Sequence, residues 1–113
     1  MSEKRNIDSE TRSFELRMQA DAVTRAVFLL GKDKEWLLND VLQKLADAES
    51  KSGFLCGFVD LAASDELEKD ELLQYLVQQD LIVLNNNGSF KLSPNGEKRS
   101  SAQLPPQIET ELR

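Results

Sequence analysis

The chain has 113 residues, with 20 Asp and Glu against 14 Lys and Arg, and a net charge of −6. It contains no histidine and a single cysteine, Cys56. That composition removes Ser-His and Cys-His nucleophile pairs, an internal disulfide and the usual ligands of a structural zinc site.

The length fits one domain with short tails. Its longest apolar runs, AVFLL at 26–30 and LIVL at 81–84, fall far short of the roughly 18 residues of a membrane span. The N-terminus, MSEKRNIDSE, is charged and lacks the apolar stretch of a signal peptide. These features predict a soluble cytoplasmic protein with no membrane partner. There is no EF-hand spacing, and Gly31-Lys32 lacks the preceding glycine and strand of a phosphate loop. The expectation is a non-catalytic chain without cofactor or metal.

Residues 1–10 are polar and charged and read as a disordered tail. Phe14, Leu16 and Met18 alternate with Ser13, Glu15 and Arg17 in a strand period. The same stretch is rich in helix formers, so helix is the expectation and strand stays open. Val23, Ala26, Val27 and Leu30 repeat at helical spacing, with Gly31 as the stop signal. Asp33 is then the expected N-cap of a second helix from about 34 to 48. Its apolar face is Leu37, Leu38, Val41, Leu42 and Leu45, with Trp36 packing in the first turn.

Glu49 to Gly53 reads as a loop. Phe54 to Ala63 is apolar almost all round, which predicts a helix buried on several sides with Cys56 inside it. Gly57 there would permit close packing. Asp65 is the expected N-cap of the next helix, with Glu68 completing a capping box. Acidic residues in the first turn also suit the helix dipole. Leu81 to Leu84 is a short strand, Asn85 to Gly88 a hairpin turn, and Phe90 and Leu92 the return strand. Two registers are open: Val83 opposite Phe90, or Val83 opposite Leu92. Ser93-Pro94-Asn95-Gly96 closes the hairpin as a turn. Residues 99–113 lose periodicity, and Pro105-Pro106 favours extended chain. They read as a flexible tail, or as a docking peptide using Leu104, Ile108 and Leu112.

The segments Leu76-Val77-Gln78-Gln79-Asp80-Leu81-Ile82 and Phe90-Lys91-Leu92-Ser93-Pro94-Asn95-Gly96 resemble two phrases of the winged helix-turn-helix superfamily. There a third helix ends Leu-x-x-x-Gly-Leu-Ile, and the wing closes Tyr-x-Leu-Thr-Pro-x-Gly. The resemblance covers about residues 35–98. It implies a mainly α fold with a small C-terminal β-hairpin, a winged helix carrying an additional N-terminal helix. The domain would span 11–98. Asp80 stands where the family phrase has glycine.

The helix equivalent to a DNA-reading helix presents Glu66, Glu68, Lys69, Asp70, Glu71, Gln74 and Gln78. Carboxylates there lie badly against phosphates, and major-groove readers use Arg, Lys, Asn or Gln. The first reading is therefore a protein-interaction module, an adaptor, complex subunit or regulator, using that acidic face on a protein partner. The N-terminal helix offers a second contact or a homodimer seam. The alternative is a DNA-binding transcriptional regulator, with Lys91, Lys98 and Arg99 on phosphates and Arg12, Arg17 and Arg25 adding a basic side. The net charge disfavours nucleic acid.

Overall fold

The computed structural model describes residues 2–55, 57–100 and 104–113, with side chains described from residue 11 onward. In chain order the elements are α1 (Ser2–Gly31), α2 (Leu38–Ser52), α3 (Phe58–Ala62), α4 (Glu66–Gln78), β1 (Ile82–Leu84), β2 (Phe90–Leu92), α5 (Pro94–Arg99) and α6 (Pro106–Leu112). The molecule is mainly helical, with a two-stranded antiparallel sheet toward the C-terminus.

Phe90 is fully buried and belongs to one core with Val23 and Val27 of α1, Leu42 and Leu45 of α2, Leu72 and Leu76 of α4, and Ile108 of α6. Helix α1 touches α2, α4, α5, α6 and β2, so it is the spine of the fold. Residues 11–18 are helical within it, which settles the strand-or-helix ambiguity. The helix starts at Ser2, where the sequence reads as a tail. Downstream packing nucleates the helix, and polar residues of adequate propensity then extend it.

Helix α2 does not begin near 34 with an Asp33 cap. Leu37 occupies the N-cap position with extended backbone and no side-chain cap. Trp36 lies outside the helix: its N–H donates to Phe90 O and its C=O accepts from Phe90 N, both at 2.8 Å. This antiparallel bridge lays a third chain along β2. The indole Nε1–H donates to Gly31 O at 2.9 Å, so the tryptophan also closes the end of α1. Pairing with Phe90 needs extended backbone, and that delays the helix to Leu38. Leu37 is consequently exposed rather than core.

At its other end α2 runs through the expected loop to Ser52, stopping at left-handed Gly53 (φ 73°). Glu49 is buried, and its Oε1 accepts from the Phe58 N–H at 2.7 Å. That bond ties the end of α2 to the start of α3. The predicted helix over 54–63 shrinks to Phe58–Ala62, because Gly57 adopts φ 85° and breaks it. Phe54 and Leu55 are exposed, and a Cβ at Gly57 would meet nothing within 4 Å, so that glycine serves the turn and not close packing. The reading of Cys56 as a buried side chain lies outside the described residues.

The hairpin takes neither expected register. Ile82 pairs with Leu92, Val83 with Lys91 and Leu84 with Phe90. Asn85 N–H donates to Ser89 O at 2.8 Å and Gly88 N–H to Asn85 O at 3.1 Å. The loop is thus three residues long, with Gly88 left-handed at φ 87°, the geometry of a hairpin closed by a glycine bulge. A one-residue slip exchanges the faces. Ile82 and Phe90 turn inward, while Val83 and Lys91 face out.

Ser93 to Gly96 opens a helix instead of a turn. Ser93 Oγ accepts from Gly96 N at 3.0 Å, and Pro94 takes the first helical position. The C-terminal residues are also structured. Leu104, Ile108 and Leu112 are buried in the common core, each worth about 1.5–3 kcal/mol on burial. That anchors a seven-residue helix too short to hold alone. Pro106 fits because a proline at the first helical position lacks only an N–H that has no partner there.

Candidate functional site

Helix α4 begins where the sequence places it. Asp65 Oδ1 accepts from Glu68 N–H at 2.9 Å, and Glu66 and Glu68 sit in the first turn. Leu72 and Leu76 are fully buried and fix the rotation of the helix. At 3.6 residues per turn, the face opposite them carries Leu67, Asp70, Gln74 and Gln78, with Glu71 and Val77 at its edges. All six are exposed, Leu67 by 69 %.

The seven residues expected on this helix do not form a single face. Asp70, Glu71, Gln74 and Gln78 line one groove of about 350 Å³ together with Leu67, Tyr75 and Leu16 of α1. Glu66, exposed in the first turn, is rotated from Gln74 by about 80° and does not line the groove. Glu68 and Lys69 are rotated from Gln74 by about 120° and 140° in opposite senses. They belong to the two flanks, with Lys69 half-buried.

Tertiary packing adds residues that helix α4 alone cannot reveal. Arg12 of α1 donates from Nε to Glu71 Oε2 at 3.2 Å and pairs with Glu15 at 3.3 Å. Glu71 is thereby partly neutralised and α1 is pinned along α4. Leu16 and Tyr75 give the groove an apolar floor beneath its carboxylates. Leu67 was legible from helical phase; Leu16 and Arg12 carry no local signal, since they reach α4 only through the fold.

The cations of the alternative reading are scattered and largely engaged. Lys91 points outward from β2. Lys98 and Arg99 end α5, and Arg99 pairs with Asp21 at 2.8 Å. Arg25 donates to Glu109 at 2.6 Å and to Ser100 O at 3.1 Å. Arg17 is exposed on α1. Carboxylates of the same molecule therefore already occupy Arg12, Arg25 and Arg99.

Among the described residues, no group of three or more His, Cys, Asp or Glu is arranged to hold a metal ion. No described helix is long and apolar enough to cross a membrane. No family model, curated protein or solved structure matches the chain.

Proposed function

We propose that the chain is a non-catalytic winged-helix-type interaction module that engages a protein partner through the outward face of α4. The observation that carries this reading is the groove of Asp70, Glu71, Gln74 and Gln78 around exposed Leu67, floored by Leu16 and Tyr75. Apolar contact ringed by carboxylates suits a protein surface bearing Lys or Arg. It suits a phosphate backbone badly.

The winged-helix assignment is supported by the order of elements and by two backbone details. Asp80, at the position of the family's glycine, adopts φ 56°, the left-handed region that glycine fills most easily. Gly96, at the second phrase's glycine, lies so close to the chain that a Cβ there would stand 2.0 Å from Leu81 O. The antiparallel Trp36–Phe90 bridge beside the hairpin is compatible with this assignment.

Fluorescence anisotropy with a random-sequence DNA duplex, at low and at physiological salt, tests the reading. No binding at low salt is expected. Binding that salt abolishes and that Lys91→Glu removes would replace this reading with the DNA-binding alternative.

A further inference from the structure

A second concave surface lies on the other side of α1. It is a groove of about 710 Å³ between α1, α3 and the Leu104-Pro105 segment. Its walls are apolar: Met18 and Ala22 from α1, Phe58 and Leu61 from α3, and Leu104. Glu15, Asp21 and Asp60 supply its charge, and none of the described lining residues is basic. The groove shares no lining residue with the α4 site.

Other apolar side chains on the same elements, or next to them in sequence, are exposed. Met18 is 57 % exposed, and Phe14, one turn earlier on α1, is exposed as well. The loop leading into α3 exposes Phe54 and, by 85 %, Leu55. Flexible methionine at such a surface adapts to varied side chains. With Glu15 held by Arg12 and Asp21 by Arg99, Asp60 is the open carboxylate of the rim, and it favours a cationic occupant over anionic lipid or nucleic acid. Apolar walls with carboxylates beside them match an amphipathic helix laid into a groove.

We propose that this α1–α3 groove docks a basic amphipathic helix of a partner protein, with leucine-type side chains inserted against Met18, Phe58 and Leu61. Lys or Arg on the helix flanks would meet Glu15 and Asp60. Asp60 makes the cleaner contribution, because Arg12 already holds Glu15 and Arg99 holds Asp21. The site shares no lining residue with the α4 groove and stands or falls separately from the function proposed above.

The test uses the full chain and a fluorescein-labelled synthetic helix of Leu and Lys at amphipathic spacing. Two control peptides carry Glu for Lys, or Ser for Leu. The expected result is saturable binding of the Leu/Lys peptide, with both controls weaker by about tenfold or more. Met18→Arg and Asp60→Lys each weaken binding about tenfold, while Glu66→Lys/Asp70→Lys on α4 changes it by less than about twofold. Both groove substitutions are at exposed positions, and circular dichroism checks that the fold is kept. Equal binding of the Ser/Lys peptide would reduce the effect to bulk charge and overturn the proposal. So would unchanged affinity in Met18→Arg and Asp60→Lys. Self-association that Met18→Arg abolishes, without peptide binding, would assign the groove to a second copy and likewise overturn it.

Discussion

Gly96 and Asp80 sit where the end of α4, the hairpin and α5 meet. Ser93 Oγ hydrogen-bonds Asp80 O and also caps α5 through Gly96 N–H. Asn95 Nδ2 donates to Asp80 Oδ2 at 3.0 Å. A side chain at Gly96 collides with backbone, which cannot yield as a flexible side chain would. Gly96→Ala is expected to cost about 2–3 kcal/mol, seen as a thermal midpoint lower by about 10 °C or more. An unchanged midpoint would mean that α5 does not approach Leu81 this closely. At Asp80, replacement by Ala keeps the left-handed strain and loses the Asn95 bond. It should cost about 1–2 kcal/mol, with Gly tolerated better than Ala. The two glycine-phrase positions were legible in the sequence as a pattern. The conformation of Asp80 was not, because a residue with a side chain reaches positive φ only when its surroundings demand it.

The elements show where local pattern suffices. Helix α4 follows from a cap, good helix formers and leucines one turn apart; its Asp65 cap forms, without the returning Glu68 side-chain bond of a full capping box. Asp65→Ala should cost about 1 kcal/mol in urea denaturation. The start of α2, the hairpin register and helix α6 depend on partners distant in sequence. Trp36 is drawn out of a helix by Phe90, and the turn type at Asn85 to Gly88 is decided by one residue of loop length. The C-terminal residues have too little periodicity to reveal that Leu104, Ile108 and Leu112 complete the core. Ile108→Ala is expected to cost about 2–5 kcal/mol, where a flexible tail would lose nothing.

The same element carries a pH dependence. The hydrogen bond from Arg25 holds the Glu109 carboxyl below its ordinary 4.5, outweighing burial, with help from the Leu104 N–H. A pKa lower in the folded than in the unfolded chain stabilises fully above the unfolded value. That stabilisation is lost as pH falls through the lowered one. Wild type should therefore exceed Glu109→Gln in stability at neutral pH. The two should converge as pH falls below the ordinary 4.5 and through the lowered pKa. Parallel profiles would show that Arg25 and Glu109 are not coupled in solution.

At the scale of the molecule, charge arrangement separates the two functional readings more sharply than net charge. The sequence showed an excess of acid and an acidic helix. It did not show that Arg12, Arg25 and Arg99 are spent on internal pairs, since Glu71, Glu109 and Asp21 each lie on another element. Nor did it show that α1 furnishes a wall of the α4 groove. The grouping of Glu68 and Lys69 with Gln74 came from proximity in sequence and fails on helical phase. What remains outward on α4 is apolar Leu67 and Val77 among Asp70, Gln74 and Gln78, the face proposed for protein contact. The most direct test is quantitative affinity capture from lysate with wild type, Glu66→Lys/Asp70→Lys and Lys91→Glu side by side, after nuclease treatment. Proteins retained by wild type and Lys91→Glu but lost from the α4 variant are the predicted result. Identical retention by all three, or loss only with Lys91→Glu, would contradict the assignment of α4 as the binding face.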